Sequence, residues 1–200
     1  MSVAFSTKAS TLLALKGVLQ SAQIAPLVVL NLNEWEKNKE ACLAKIVESL
    51  GSGPLIVRSS CSLEDTEGFS NAGLFLSIAD VSIEELPVSI DRVIESYREA
   101  RQQDQVLIQP MLTDVLRSGV AFSHDPNTCA PYRVVNWSEG EDTSAVTRGI
   151  GGRVWQQAAS SPLPPPSYLL PVVKLLSELL ELFDHSPIDC EFAITNSVDG

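Results

Sequence analysis

The segment Leu55-Ile-Val-Arg-Ser-Ser-Cys-Ser-Leu-Glu-Asp-Thr-Glu-Gly-Phe-Ser-Asn-Ala-Gly73 constrains the fold more than any other stretch of this chain. An apolar run, Pro54 to Val57, delivers one arginine and two hydroxyls into a polar loop. The loop returns through Ala72-Gly73 to a second apolar run, Leu74 to Ile78. Short apolar runs bounded by turn residues read as buried strands. The arginine at the end of the first, Arg58, answers one of two needs. It binds an anion through its planar fork of donors, or it pairs with Glu64, Asp65 or Glu67 in a structural ion pair. Spacing alone leaves both open.

A chain of 200 residues is long enough for one sizeable core or for two small lobes. The net charge of −11 argues against a general binder of nucleic acid or of an anionic membrane. Phosphate binding by such a chain relies on a few placed cations, backbone N–H groups and metal ions. No apolar run approaches a membrane span, and Met1 to Lys8 lacks the basic-then-apolar pattern of a signal peptide. The four cysteines are far apart and form no CxxC pair. Zinc and redox readings are therefore weak, and reduced thiols in a cytoplasm are expected.

Periodicity predicts a helix over residues 10–21, a strand at 27–30, and a helix from an Asn33 cap to about Leu50. Strands follow at 55–58 and 74–78, and a mostly helical stretch at 82–102 carries Pro87. Beyond it come strands at 105–112, 119–123, 132–137 and 153–158, with Asp125-Pro-Asn127 as a turn. A proline-rich connector, 160–166, leads to an amphipathic helix capped by Ser167 and running to about Phe183. A strand at 188–195 ends the pattern. The order predicts an α+β protein with two lobes, 1–104 and 105–200. Asp199-Gly200 is a tight-turn signal with no partner strand after it, so the second lobe is expected to be truncated before its final strand.

Asp189 and Glu191 stand two apart in the last predicted strand and so face one side of it. Two carboxylates on one face suit a hard cation such as Mg²⁺; a solvent-facing acidic pair on an edge strand is the alternative. Lys8, just before the first helix, either reaches a phosphate or is a solvated surface residue. His124 and His185 are isolated, and neither GxxxxGK[ST] nor GxGxxG occurs.

Taken in order, these blocks resemble one family. Val57-Arg-Ser-Ser60, Glu64-Asp65 and Ser70-Asn-Ala-Gly73 are similar to the VRSSA-x-x-ED…S-x-AG text of phosphoenolpyruvate synthase and pyruvate, phosphate dikinase, in the N-terminal nucleotide-binding domain. Val106-Leu-Ile-Gln-Pro-Met111 resembles that family's V-x-VQ-x-M strand, and Ser118 to Pro126 its SGV-x-F-[ST]-x-[DN]P hairpin. Asn136 to Gly149 is an altered form of its N-x-x-x-GLGE loop, with Ser138-Glu-Gly-Glu141 in place of GLGE. Ile188-Asp-Cys-Glu-Phe192 resembles its D-[IL]-E-[FW] strand.

The resemblance implies an ATP-grasp-like fold with ATP held between two α+β lobes. It implies that Lys8 and Arg58, with Ser59, bind ATP phosphates and that Arg58 is catalytic. Gln109, Met111 and Leu112 would lie beside adenine, and Glu141 would serve the nucleotide from its loop. Asp189 and Glu191 would hold Mg²⁺. The implied activity passes phosphate from Mg·ATP to a histidine on another domain and then to pyruvate or another acceptor. Its partners are the nucleotide and the downstream phosphohistidine and acceptor-binding domains. A non-catalytic nucleotide-binding module of the same fold is the alternative, motivated by the altered GLGE loop. An ATP-grasp ligase forming an acyl phosphate is a third reading, against which the VRSS block argues.

Overall fold

The computed structural model describes residues 3–61, 76–97, 104–140 and 152–196. Two four-stranded sheets organise them, every strand pair antiparallel, and helices make the fold α+β. The chain divides into two units: Ala4–Val18 with Ile24–Met111, and Met1–Val3 with Leu19–Gln23 and Leu112–Gly200.

In the first unit the strands are β1 (Val28–Asn31), β2 (Leu55–Ser60), β3 (Ser77–Val81) and β4 (Gln105–Pro110), in the order β1-β4-β2-β3. One cross-strand row joins Val28, Ile108, Val57 and Ile78. That row faces a core filled by Leu32 and Trp35 of α2 (Leu32–Lys37), Ile46 of α3 (Lys39–Leu50), and Leu86, Ile90 and Val93 of α4 (Leu86–Glu95). Trp35 is buried and its Nε1 donates to Asp91 Oδ1 at 2.7 Å. Lys39 Nζ donates to the same carboxylate at 2.8 and 2.7 Å. Burial pushes the Asp91 carboxyl up, but these donors and the Lys39 charge outweigh it and hold it below its ordinary value.

The helix expected from Asn33 to Leu50 is two helices. Asn38 breaks them and caps the second, its side chain accepting from the Ala41 N–H at 3.0 Å. The helical stretch expected over 82–102 contracts to α4, with Pro87 in the first turn, where a missing N–H breaks no helical bond. The division between units falls after Met111 rather than after residue 104. The reason is β4, whose Val106, Leu107 and Ile108 are almost fully buried because β1 and β2 flank it on both sides.

In the second unit the order is β7-β6-β5-β8, with β5 Val115–Phe122, β6 Tyr132–Glu139, β7 Arg153–Ala158 and β8 Asp189–Thr195. Ala121, Val135, Trp137, Trp155, Cys190 and Phe192 share the face that packs on Leu169, Val172 and Leu176. The last two belong to α5 (Leu170–Leu182). Ser167 opens a short 3-10 turn instead of capping α5. At the β5–β6 turn, Asp125 accepts from Thr128 N at 2.8 Å, Thr128 Oγ1 at 2.9 Å and Asn127 N at 3.0 Å. Ser123 Oγ accepts the Ile188 N–H at 2.8 Å and lies 2.9 Å from His124 Nδ1, tying the start of β8 to the end of β5.

Gly119 sits where β5 and β6 approach most closely. A Cβ there would lie 1.9 Å from the Asn136 carbonyl oxygen and 2.8 Å from Trp137 Cα. Gly119→Ala forces the strands apart and should cost about 1–3 kcal/mol in denaturant melts.

Residues 19–23 run with the second unit because Glu178 of α5 holds them. Its Oε1 accepts the Gln20 N–H and its Oε2 the Ser21 N–H, each at 2.7 Å, and Ser21 Oγ also donates to Oε2. Burial raises the Glu178 carboxyl, but these three donors outweigh it and leave it below the ordinary value. A carboxyl depressed in the folded state adds stability above its unfolded pKa and loses it as pH falls through the folded one. Melting from pH 7 to pH 3 should therefore destabilise Glu178→Gln less steeply than the wild type.

Candidate functional site

Strand alternation decides what β2 presents. Val57 points into the first unit's core, so Arg58 points to the other face, Ser59 back toward the core and Ser60 out again. Register puts Gln109 beside Ile56, and Leu107 beside Arg58, so Arg58 and Gln109 are diagonal neighbours on the face away from α3 and α4. Ser59 is 3% exposed and lies in the row of Leu30 and Val106. Its side chain therefore lies on the opposite face of β2 from Arg58.

The second serine has the larger part. Ser60 Oγ accepts the Ala9 N–H at 2.8 Å, both residues buried. Ala9 is in the first turn of α1 (Lys8–Leu15), which Thr7 caps by accepting from Ser10 N. Thr7 Oγ1 also donates to Gln105 Oε1 at 3.0 Å, one strand over from Ser60. These bonds bring Lys8, the first residue of α1, to the end of the strand that carries Arg58. Sequence reasoning missed this tie because it joins residues 51 apart. Tyr97 completes it, receiving the Ser60 N–H at 3.3 Å and donating to the Gln105 carbonyl at 2.6 Å.

Of the other candidates, Met111 donates its N–H to the Pro54 carbonyl at 2.9 Å. Leu112, half exposed, is the first residue of the chain's return to the second unit. Glu141 lies outside the described residues, as do Glu64, Asp65 and the Ser70–Gly73 block.

In the second unit, Cys190 points into the core, so Asp189 and Glu191 share the face not covered by α5. Burial, then the charges of Asp189 and Glu191, push the Cys190 thiol up to about 12. Register extends the carboxylate face across the sheet. Glu191 pairs with Val120 and Val120 with Asn136; Asp189 pairs with Phe122; Ser118 pairs with Ser138. Ser118 Oγ, Asn136 Oδ1 and Ser138 Oγ are buried and have no hydrogen-bond partner among the described residues.

The donor set on this face is all oxygen, which fits a hard cation such as Mg²⁺. Among the described residues, no group of three or more His, Cys, Asp or Glu is placed to hold a metal ion. No helix of the described residues is long and apolar enough to cross a membrane.

Ser60→Ala leaves the buried Ala9 N–H without its acceptor, a loss of about 1–3 kcal/mol. Hydrogen exchange should show Ala9 and its neighbours in α1 losing protection while the α3 amides keep theirs.

No family model matches this sequence, and no curated protein matches it. Among solved structures the chain is similar to D-alanine-D-alanine ligase from Helicobacter pylori, with 18% identity and a TM-score of 0.45. That likeness covers 86% of this chain and 45% of the ligase, so the chain spans less than half the ligase's length. It is also similar to PH1788 from Pyrococcus horikoshii Ot3, with 14% identity, a TM-score of 0.48, and 95% and 84% of the two chains covered. At these identities and TM-scores the likenesses concern the chain path alone and carry no argument about activity.

Proposed function

We propose that this chain is the ATP-binding part of a phosphotransferase of the phosphoenolpyruvate synthase and pyruvate, phosphate dikinase type, with an ATP-grasp-like fold. The observation that carries the reading is the placement of Asp189 and Glu191 together on the face of their sheet opposite α5. The ordered resemblance of the Arg58, Ser118–Pro126 and Asp189–Phe192 blocks to that family supports it.

Arg58 and Lys8 bind the nucleotide's phosphates. Ser60 keeps Lys8 in position through Ala9. The backbone around Gln109, Met111 and Leu112 serves the base, and Asp189 and Glu191 hold Mg²⁺. When bound, the metal neutralises charge on the phosphates, which an acidic chain cannot do with side chains alone. Positioning and charge neutralisation are most of what phosphoryl transfer asks of a protein. In the intact protein the phosphate passes to a histidine of another domain and then to pyruvate or another acceptor.

Calorimetry should detect Mg·ATP binding that Arg58→Ala weakens about 10–100-fold, the worth of a charge-assisted contact of about 1.5–3 kcal/mol. Glu191→Gln should abolish its dependence on Mg²⁺. No Mg·ATP binding by the protein would overturn the proposal. A non-catalytic nucleotide-binding module is the second reading, favoured by Ser138-Glu-Gly-Glu141 in place of GLGE. Transfer of labelled phosphate from ATP to a histidine of the full-length protein would exclude it.

A further inference from the structure

Between β7 and α5 the chain runs Ser160-Ser-Pro-Leu-Pro-Pro-Pro166, with four prolines in the five residues 162–166. Each proline has its φ locked at about −65°, and each residue before a proline is pushed into extended backbone. Only Pro162, which a leucine follows, escapes the second restriction, and the chain bends beside it at Leu163. From Pro164 to Pro166 the backbone is committed to polyproline II; Pro166 has φ −53° and ψ 138°. The stretch is fastened at both ends. The Ser161 N–H donates to the Ala158 carbonyl at 3.0 Å, and the Leu169 N–H to the Pro166 carbonyl at 2.9 Å. Between them Gln157 Nε2 donates to the Leu163 carbonyl at 3.1 Å, and the Leu163 N–H to Ser161 Oγ at 3.3 Å. Held this way, Leu163 is 69% exposed, more than any other large hydrophobic side chain among the described residues. Pro162 and Pro164 beside it are exposed, and Pro165 and Pro166 are half-buried. A stiff connector accounts for the prolines, but not for an exposed leucine fixed among them.

We propose that Leu163–Pro166 is a docking ligand for a small domain that reads polyproline II in a groove of aromatic side chains, of the EVH1 type. Such grooves exploit a helix that is already formed and has little entropy to lose. This one is formed in advance by its prolines and by its anchors on Ala158, Gln157 and Leu169, which lowers the ordering cost of association. Residues 160–170 carry no charge, so recognition lies in Leu163 and the proline rings. A groove that adds an acidic pocket for a flanking Lys or Arg finds no partner here, and the net charge of −11 opposes its approach. Pro165-Pro166-Ser167-Tyr168 also has the Pro-Pro-x-Tyr spacing that suits a WW-type groove. Tyr168, however, is committed to the body of the protein: its ring centroid lies 5.8 Å from that of Trp137, and Arg117 Cζ stands 5.1 Å over it. The exposed element is Leu163 with Pro164. The proposal uses none of the nucleotide-site residues and stands independently of that reading.

The test is nuclear magnetic resonance of an isotope-labelled EVH1 domain titrated with the unlabelled full chain, alongside thermal melts of each variant. The resonances of the aromatic groove should shift when the wild type is added. Leu163→Ser and Pro164→Ala should each weaken binding about tenfold, the worth of one anchor. Leu163→Ser should melt with the wild type, because its side chain is exposed. Gln157→Ala, which frees the Leu163 carbonyl, should weaken binding by less. No shift in the groove's resonances overturns the proposal, and so does binding that survives both Leu163→Ser and Pro164→Ala. Binding to a WW domain that Tyr168→Ala abolishes and Leu163→Ser leaves intact also overturns it, and assigns the surface to Tyr168 instead.

Discussion

Side-chain alternation in two sheets, each with one face buried against helices, is the constraint on which the rest depends. Once Val57 is committed to the core of the first unit, Arg58 and Ser60 must face the other way and Ser59 must turn inward. Once Cys190 is committed to the core of the second, Asp189 and Glu191 must face away from α5. A slip of one residue in either strand would bury a charge and expose an apolar side chain. The helices thus decide which face of its strand Arg58, Asp189 and Glu191 each occupy.

The acidic character of the chain is managed locally. Asp91, Asp125 and Glu178 each accept several donors and are held below the ordinary carboxylate range. Only Asp91 draws on a nearby cation, Lys39; the other two are satisfied by N–H and hydroxyl groups. Each closes a specific joint: Asp91 ties α2 to α4, Asp125 shapes the β5–β6 turn, and Glu178 secures residues 19–23. These negative charges are absorbed into structure. Asp189 and Glu191 stand two apart on β8, an edge strand among the described residues, where after burial their charges raise the Cys190 thiol.

Much of the element order was legible in the residues. Arg153–Ala158 forms a strand with the bounds that its pattern predicts, and β2, β6 and β8 differ from expectation only at their ends. The helices were less legible. Asn33, the expected cap, lies inside α2, which follows Asn31, and Asn38, expected within a helix, instead caps α3 through the Ala41 N–H. The assignment of β4 to the later lobe failed for a related reason. Periodicity shows that Val106 to Ile108 are buried, but not that β1 and β2 are the strands that bury them. In the candidate site, Arg58, Asp189 and Glu191 stood out because charges inside apolar runs are conspicuous. Ser60, Ser118 and Asn136 did not, because a serine or asparagine in a strand is unremarkable until its partners are known.

By itself the sequence determined the local chemistry. Alternation sends Arg58 to the opposite side of β2 from Val57, and Asp189 and Glu191 to the opposite side of β8 from Cys190, because a strand repeats every two residues. Tertiary structure decided which of these faces is covered and what shares it. Ser60 reaching Ala9, and Asn136 falling into the row of Glu191, depend on pairings across 51 and 55 residues of chain (60 − 9 and 191 − 136). Such pairings are set by the packing of whole sheets against helices, and no local pattern encodes them.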